Sequence, residues 1–277
     1  MHARLAVRGA PSRTRSTMNI AVCVKQIPDP AVPGELDPET KTLQRVGKLI
    51  LDESDSFGVE MALQLVDKAG SGEVTLVSMA PNDEVSGLRT ALAMGAAKAV
   101  LVSDPTLAGS DALGTAKVLA KAIERAGGID LVLGATESTD GYTGTVPAQV
   151  AQLLDWPSLT FAKHVEVNGD TLTIQRQTEA GYDVVESSLP AVVSVTAGVV
   201  EPRYPSFKGI MAAKNKPVDQ CTVVDLGLSA DEVGWAGARQ EITSVADAPA
   251  REAGEKIEDD GSAHERVLAF LEELKVI

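Results

Sequence analysis

Cysteine, histidine and aromatic residues are all scarce in this chain of 277 residues. The two cysteines, Cys23 and Cys221, stand far apart and outside any C-x-x-C pattern, so a structural disulfide or a zinc site is not expected. The three histidines are scattered, which disfavours a metal cluster and a Ser-His or Cys-His catalytic set. We therefore predict a protein without a metal site.

Basic charge and long apolar runs are also lacking. The formal net charge is -14, which disfavours a nucleic acid as partner, because such partners favour a clustered basic face. No apolar run reaches the roughly 18 residues that a helix needs to span a bilayer, so direct membrane insertion is not expected. The hydrophobic content of 44% is ordinary for a globular protein.

The first 17 residues differ from the rest of the chain, because they hold four arginines and no acidic residue. Such a leader is typical of a transit peptide, which would direct the protein to the mitochondrial matrix. The alternative, which we favour, is a mis-assigned start, with Met18 opening a bacterial cytoplasmic protein directly before its first strand.

Short apolar runs alternate with amphipathic segments through the first half of the chain. This alternation predicts right-handed strand-helix-strand units in an open, mostly parallel, doubly wound sheet, which is a nucleotide-binding, Rossmann-like α/β fold. Strands are predicted at 19–25, 73–80, 99–103 and 130–135, and helices at 56–69, up to residue 94, from 110 or 111 to 127, and at 142–154. A hairpin is predicted around residues 42–49.

The pattern changes to strict alternation after Pro157, which predicts an antiparallel hairpin at one edge of the sheet. A last strand is expected at 221–226, then an acidic extended arm, and finally a helix over 262–275. Antiparallel strands are predicted at 160–167, 171–177 and 183–189. We thus expect a leader at 1–17, an α/β domain at 18–228 and a C-terminal arm with its helix at 229–277.

Residues 135–146 read A-T-E-S-T-D-G-Y-T-G-T-V and connect a strand end to a helix start. In a doubly wound sheet this is where ligands bind. Glycines let the backbone approach a ligand, and the first turn of the helix offers unpaired amides to a phosphate. The alternative is that Asp140 only caps the helix and the glycines only turn the chain. The polar and small residues concerned are Ser138, Gly141, Thr143, Gly144 and Thr145.

Residues 201–217 are the least generic segment of the chain. The prolines of Glu-Pro-Arg-Tyr-Pro cannot continue a sheet, so the chain must leave the strand predicted at 191–195. Ser206 can cap a short helix through Ala213, with Lys214 and Lys216 near its carboxyl end. Phe207 then stands at the tip of a braced loop, where it either contacts a partner or packs on its own domain.

The usual enzymatic nucleotide motifs are missing. The chain has no G-x-x-x-x-G-K-[ST], no G-x-G-x-x-G after a strand and no S-G-G-x-D-S loop. A binding module, which needs only a nucleotide as structural ligand and an exposed contact loop, asks for fewer absent residues than a nucleotide-hydrolysing α/β enzyme does.

The motifs of the chain resemble the β-subunit of the electron-transfer flavoproteins. The resemblance covers nearly the whole chain from Met18 to Leu228. It is carried by Val22–Lys25, the Gly58-Val-Glu-Met-Ala-Leu helix, Arg89–Ala96, Asp130–Leu133, Thr139–Thr145, Leu154–Pro157, Thr160–Ala162, Leu189-Pro-Ala-Val-Val and Glu201–Lys214.

The resemblance implies a heterodimer in which FAD lies mainly on an α-subunit and the β-subunit buries AMP as a structural ligand. Bifurcating relatives hold a second FAD in the AMP site, and that alternative stays open. The chain has Asp52-Glu53-Ser54 where many relatives carry Asn-Pro-aromatic, so an aromatic contact to the flavin is absent. The AMP contacts implied are Cys23, Asp52, Glu53, Ser54, Asp55, Met79, Ala135, Ser138, Asp140, Gly141, Thr143, Gly144, Thr145 and Val146.

The resemblance also implies an electron carrier rather than an independent enzyme. Its partners would be acyl-CoA-type dehydrogenases, which donate electrons as in fatty-acid oxidation, and a quinone-reducing oxidoreductase, which accepts them. The terminal helix is expected to dock on the α-subunit. The recognition loop implied for the dehydrogenases consists of Tyr204, Pro205, Ser206, Phe207, Lys208, Gly209, Ile210 and Met211.

Overall fold

The computed structural model describes residues 17–45, 47–247, 249–250, 254 and 256–277. Compact packing divides the chain into two units, with the boundary between Ile242 and Thr243. Residues 1–16 of the leader lie outside the described residues, so both interpretations of the leader remain predictions.

The first unit is an α/β structure. Its strands are β1 (Met18–Cys23), β2 (Gln26–Pro28), β3 (Leu49–Leu51), β4 (Gly72–Ala80), β5 (Lys98–Ser103), β6 (Leu131–Ala135), β7 (Ser158–Asn168), β8 (Thr171–Thr178), β9 (Gly181–Ser188), β10 (Ala191–Val195) and β11 (Val218–Cys221). Its helices are α1 (Glu53–Ala69), α2 (Ser86–Met94), α3 (Ala112–Ala126), α4 (Val146–Leu153), α5 (Phe207–Ala213) and α6 (Gly234–Gly237).

Nine of these strands form one sheet in the order β11-β5-β4-β1-β6-β10-β7-β8-β9. Strand β1 pairs in parallel with β4 on one side and with β6 on the other. The chain therefore builds outward from β1 in both directions, and the carboxyl end of β1 lies at the topological switch point. The mostly parallel, doubly wound fold that the sequence predicts is confirmed.

Successive residues of a strand point to opposite faces of the sheet. Since the buried strands carry apolar residues on both faces, helices cover both faces. Ile20 and Val22 of β1 belong to one core layer together with Val59 of α1, whereas Ala21 belongs to the other layer with Ile123 of α3. All five side chains are buried. Burying a large aliphatic side chain contributes roughly 1.5–3 kcal/mol, so the two layers hold the strand ends in fixed positions.

The antiparallel extension at one edge is also as predicted. Val167 of β7 pairs with Leu172 of β8, and Thr173 pairs with Glu186 of β9, both in antiparallel register. Strand β7 joins the main sheet through a parallel pairing with β10, in which Leu159 faces Val193.

Helix α4 begins at Val146, four residues later than the predicted helix. Tyr142 and Gly144 adopt left-handed backbone conformations, with φ of 50° and 69°. A right-handed helix cannot include such residues, so the helix starts only after the second glycine. The residues before it form a loop over the end of the sheet.

Two short elements also differ from prediction. The last strand of the sheet, β11, ends at Cys221 instead of beginning there, because the carboxylate of Asp225 accepts hydrogen bonds from the amide and hydroxyl of Thr222 and turns the chain. The hairpin expected at 42–49 is displaced: an isolated bridge joins Leu36 to Leu43, and β2 pairs with β3 in a separate two-stranded sheet.

The first part of the predicted arm belongs to the first unit. Leu228 and Val233 are buried in the core layer that also contains α3, so the compact unit extends to Ile242. The second unit contains α7 (Ala263–Glu273), within the predicted span of the terminal helix. No helix among the described residues combines the length and the apolar character needed to cross a bilayer.

Candidate functional site

A cavity of about 830 Å³ lies at the carboxyl ends of the central strands. Cys23 of β1, Met79 of β4 and Gly134 of β6 all line it. These strands meet at the switch point of the sheet, which is where ligands bind in folds of this kind. The volume falls within the range of about 300–1,000 Å³ that small-molecule sites occupy.

Many of the positions implied by the family resemblance line this cavity, although they come from four separate segments of the chain. They are Cys23, Asp55, Met79, Ala135, Ser138, Gly141, Thr143, Gly144 and Val146. The other five, which are Asp52, Glu53, Ser54, Asp140 and Thr145, lie outside the lining.

Asp52 is fully buried and acts through neighbouring residues. One carboxylate oxygen accepts the Ser54 amide at 3.0 Å and so caps α1. The other accepts the amide of Thr139 at 2.7 Å and its hydroxyl at 3.1 Å. Asp52 thus fixes the start of α1 against the loop of residues 136–145, two segments that both contribute to the cavity wall.

Asp140 binds two cations. Its side chain is only 7% exposed, and its two oxygens pair with Lys25 at 2.6 Å and with Arg45. Burial alone would raise the pKa of this carboxyl, but the charges and hydrogen bonds of Lys25 and Arg45 outweigh it and hold the pKa below the ordinary value. Asp140 therefore stays ionised and keeps both cations beside the cavity that they line.

The sequence interpretation missed Lys25 and Arg45 as site residues. Lys25 offered a signal, since it is the first charged residue after the apolar run of β1. Arg45 offered none, because it lies in an irregular loop and its partner is 95 positions away.

The amino end of α4 contributes backbone amides. Thr145 stands at the N-cap position, but its side chain does not cap the helix; its hydroxyl instead accepts a hydrogen bond from the Gln149 side chain at 3.2 Å. The first amides of a helix have no partner within it and carry partial positive charge. Gly144 and Val146, on either side of Thr145, line the cavity, so this helix end faces the cavity, although Pro147 in the first turn has no amide to donate.

Gly141 leaves little space beside this helix end for a side chain. A Cβ atom at Gly141 would lie 3.1 Å from the Ser138 hydroxyl oxygen and 3.6 Å from the Lys25 amine. A larger residue would therefore fill the space between the loop and its polar neighbours.

Two ionisable groups, the partly buried Cys23 and the buried Asp55, line the cavity. Burial raises the pKa of the Cys23 thiol to about 12, with a further contribution from the charge of Asp55. Burial also raises the pKa of Asp55 well above its ordinary value, although its carboxylate accepts the Lys25 amide at 2.6 Å. At neutral pH Cys23 is a thiol rather than a nucleophilic thiolate.

The far wall of the cavity is formed by residues that the sequence interpretation placed in the arm or did not select. Trp235 packs over Gly109 so closely that a Cβ atom there would lie 2.1 Å from the indole ring. The Ser110 hydroxyl accepts the Gly234 amide at 2.9 Å, and the Asp111 carboxylate accepts the Arg239 amide at 2.7 Å. These contacts hold the segment of residues 234–240 in place, and its Trp235 and Gln240 line the cavity.

The segment after β10 presents apolar side chains to solvent. Phe207 is 81% exposed and Tyr204 is 92% exposed, and Ile210 and Met211 are about half exposed. Ser206 caps α5 as predicted, since its hydroxyl oxygen accepts the Gly209 amide at 3.0 Å. Of the two placements that the sequence left open for Phe207, packing on its own domain is therefore excluded in this structure.

The exposed loop is nevertheless held firmly at its base. Arg203 forms a two-pronged ion pair with the buried Glu60 of α1, at 2.6 and 3.0 Å. Arg89 of α2 donates to the carbonyl oxygens of Ala213 and Lys216 at 2.7 and 2.8 Å. These contacts fix the loop and α5 on the body of the domain.

The sequence predicts Lys216 at the carboxyl end of α5, but its amine binds elsewhere. Its amine donates to the carbonyl oxygens of Leu92 and Ala96, at 2.9 and 2.6 Å, and so binds the carboxyl end of α2. Helices α5 and α2 are therefore joined in both directions, because Arg89 of α2 binds the end of α5.

The fold and the cavity together define an α/β protein with a candidate ligand site at the switch point of a doubly wound sheet. A family model described as the electron transfer flavoprotein domain matches residues 40–226 of the chain. The chain belongs to the electron-transfer flavoprotein family, and its curated relatives place it among the β-subunits.

One such relative is the electron transfer flavoprotein subunit beta of Mycobacterium tuberculosis H37Rv, which is 40% identical over 94% of this chain and 99% of its own length. The subunit of the same name from Thermoanaerobacterium thermosaccharolyticum is 39% identical over 86% of this chain and 91% of its own. The caffeyl-CoA reductase-Etf complex subunit CarD of Acetobacterium woodii is 35% identical over 87% of this chain and 92% of its own.

Proposed function

We propose that this β-subunit binds AMP in the cavity as a structural ligand and helps to enclose the FAD of its α-subunit. The observation that carries this proposal is the position of the cavity, at the switch point and against the amino end of α4. In our proposal the phosphate lies at the α4 amides and the loop around Gly144. The nucleoside occupies the space between Cys23, Asp55 and Met79.

Positive charge near the loop of residues 136–145 supports an anionic ligand at that part of the cavity, although acidic residues line the cavity as well. Lys25 and Arg45 share the carboxylate of Asp140, and the other charged or acidic lining residues are Asp37, Asp55, Asp111 and Glu137. The helix end adds partial positive charge. Ser138 and Thr143 supply hydroxyl groups for hydrogen bonds to phosphate or ribose.

A second FAD in place of AMP is the alternative that the cavity size supports. The lining extends from Gly141 on the α4 side to Trp235 and Gln240 on the opposite side. A volume of about 830 Å³ is near the upper end of the small-molecule range of about 300–1,000 Å³ and leaves room for more than a mononucleotide. The chain would then be the β-subunit of a bifurcating flavoprotein.

The experiment is to co-express the chain with its α-subunit, purify the heterodimer and quantify the cofactors released on denaturation. One FAD and one AMP per heterodimer would support the structural AMP. Two FAD would establish the bifurcating alternative. ATP hydrolysis by the β-subunit alone would contradict a carrier without a catalytic set of its own.

We further propose that residues 204–211 form the surface by which the heterodimer receives electrons from acyl-CoA-type dehydrogenases, before a quinone-reducing partner accepts them. The exposure of Phe207 and Tyr204 on a braced loop supports this role, since an apolar anchor on a rigid support is the usual centre of a contact. Its neighbour Lys208 is exposed as well and can tune orientation.

The terminal helix α7 fits a role in the heterodimer. Val267, Leu268, Phe270 and Leu274 are about half exposed. We propose that this apolar stripe docks on the α-subunit and that the heterodimer acts in the bacterial cytoplasm. Limited proteolysis of the heterodimer and of the isolated chain would test the docking. We expect protection of residues 263–273 only when the α-subunit is present.

A further inference from the structure

The hairpin formed by residues 35–44 is a self-contained piece of the cavity wall. Leu36 pairs with Leu43, and the amides of Asp37 and Gln44 donate across the hairpin to Thr42 and Glu35, at 2.9 and 2.8 Å. At the turn, the carboxylate of Asp37 accepts the Thr40 amide at 2.7 Å. These bonds lie within the hairpin, so it can keep its shape if it moves away from the sheet.

This hairpin contributes directly to the cavity. Asp37, Thr40, Thr42, Leu43 and Gln44 all line it. The loop that contains Ser138 and Gly141 lines the same cavity. A nucleotide in the cavity would therefore be enclosed in part by two loops that belong to distant parts of the sequence.

Arg45 follows the hairpin directly and connects these two loops. One of its guanidinium nitrogens pairs with Asp140, and another donates to the carbonyl oxygen of Gln26 at 3.3 Å. Asp140 is held in turn by Lys25, which anchors it at the end of β1. The hairpin is thus tied to the loop of residues 136–145 through one guanidinium group and a nearly buried carboxylate, and Lys41 at its turn also donates to the carbonyl oxygen of Ile242 at 3.3 Å.

Because Lys25 also pairs with Asp140, the ion pair between Arg45 and Asp140 can be removed without loss of the fold. If Arg45 were neutral, Asp140 would still pair with Lys25 at 2.6 Å, so no buried charge would be left without a partner. The sheet and the loop around Gly141 would keep their contacts. What would be lost is the charged link between the hairpin and the opposite side of the cavity.

We infer that Arg45 is a positioning residue whose ion pair with Asp140 holds the 35–44 hairpin as a wall of the cavity, so that nucleotide release requires this pair to open. The inference rests on the proposed binding of AMP in the cavity. We call the ion pair between Arg45 and Asp140 the latch. In this inference Arg45 is the part that moves with the hairpin, and Asp140 is the part that stays in place.

The test compares Arg45→Gln with Lys48→Gln in the purified heterodimer. Lys48 lies in the same connection, is exposed and does not line the cavity, and its substitution makes the same change in charge. The measurements are the rate of AMP release and the hydrogen exchange of amides 35–44, each with and without AMP. Arg45→Lys, which keeps the charge, is the rescue variant.

We expect Arg45→Gln to release AMP about tenfold faster than the wild type does. A tenfold change corresponds to roughly 1.4 kcal/mol. Amides 35–44 should exchange faster in this variant with or without AMP. Lys48→Gln should match the wild type, and Arg45→Lys should restore part of the retention. Equal release rates for Arg45→Gln and Lys48→Gln would overturn the inference.

Failure of the AMP proposal can be distinguished from failure of the latch. If the wild-type heterodimer bound no AMP, the ligand assignment would fall, while hydrogen exchange in the ligand-free heterodimer would still test the hairpin. Faster exchange in Arg45→Gln than in Lys48→Gln would then support the tether, and equal exchange would overturn it.

Discussion

Two arginine-carboxylate pairs hold the two regions to which we assign roles, and their surroundings differ. Arg203 pairs with Glu60 at the base of the exposed loop, and Arg45 pairs with Asp140 beside the cavity. Both carboxylates are nearly buried, with side chains 4% and 7% exposed. Apart from the guanidinium group, Glu60 receives hydrogen bonds only from neutral amides, those of the Gln64 side chain and the Arg203 backbone, whereas Asp140 has a second cation in Lys25.

Because of this difference, loss of the Arg203 pair should destabilise the domain, whereas loss of the Arg45 pair should free the hairpin. Removing Arg203 would leave the Glu60 charge buried beside a neutral donor, which is costly, so the loop brace is tied to the stability of the domain. Removing Arg45 would leave Asp140 paired with Lys25, so the latch can open while the fold persists. We therefore expect the same kind of ion pair to fix the proposed partner surface in one region and to permit movement of the hairpin in the other.

The largest effect is expected for Phe207→Ala, which removes the apolar tip of the braced loop. Burying this side chain against a partner is worth roughly 1.5–3 kcal/mol, so electron transfer from an acyl-CoA-type dehydrogenase should fall about 10- to 150-fold. The melting temperature should hardly change, because the side chain is already 81% exposed. Stopped-flow flavin reduction measures the first quantity, and Phe207→Leu is the matched control.

Arg203→Gln should reduce stability the most. Because Arg203 is 40% exposed, we expect a loss of about 2 kcal/mol, below the roughly 3–5 kcal/mol that breaking a fully buried pair costs. Urea denaturation of the wild type and the variant measures it. The double variant Glu60→Gln with Arg203→Gln should recover part of the loss, and no recovery would contradict the pairing as its cause.

The same pair predicts a pH dependence. Burial would raise the pKa of Glu60, but hydrogen bonds from Arg203 and Gln64 outweigh it and lower the pKa. A lowered pKa stabilises the folded state above the ordinary value of about 4.3 and loses that contribution as pH falls through the folded pKa. The stability gap between wild type and Arg203→Gln should therefore be widest near neutral pH and shrink in acid. A gap that widened in acid would contradict this sign.

Gly209→Ala should have an intermediate effect. Alanine is favoured over glycine by up to about 1 kcal/mol inside a helix. At this position, however, the new Cβ would lie 2.4 Å from the carbonyl oxygen of Ala93, and such overpacking costs about 1–3 kcal/mol. We expect a net loss of roughly 1 kcal/mol and slower electron transfer, since α5 must shift. Lys208→Ala on the same helix is the control, and a more stable Gly209→Ala would refute the close contact.

The smallest effect is expected for Asp55→Asn, on the cavity side. Burial raises the pKa of Asp55, so the folded state binds a proton in a range where the unfolded chain has lost it. The stability contribution of this group is therefore full below the ordinary pKa and declines as pH rises through the raised value. Asp55→Asn should melt a few degrees higher than the wild type at pH 8, with a smaller difference at pH 4. Thermal melts of ligand-free heterodimer at both pH values measure this.

The fold was largely predictable because buried parallel strands read as short apolar runs. The segment that ends at Cys23 and the one that ends at Ala135 both gave strands close to those observed. The start of α4 was not predictable, because only the backbone shows that Tyr142 and Gly144 are left-handed. A sequence pattern reports burial well and backbone handedness poorly.

The candidate site was predictable only in part, for a physical reason. The family resemblance implied Cys23 and Met79, which agree with the rule that ligands lie at strand ends, and both line the cavity. Arg45 and Trp235 come from irregular segments whose positions depend on contacts distant in sequence, such as that between Arg45 and Asp140. Local periodicity carries no information on such contacts.

The most direct test of the separation between the two regions is the rate at which an acyl-CoA-type dehydrogenase reduces the flavin of the heterodimer, measured with saturating AMP in Arg45→Gln and in Phe207→Ala. We predict a near wild-type rate for Arg45→Gln, because excess AMP compensates for its faster release, and a rate at least about tenfold lower for Phe207→Ala. Equal losses of rate in both variants, or a normal rate in Phe207→Ala, would contradict the separate roles of the cavity and the exposed loop.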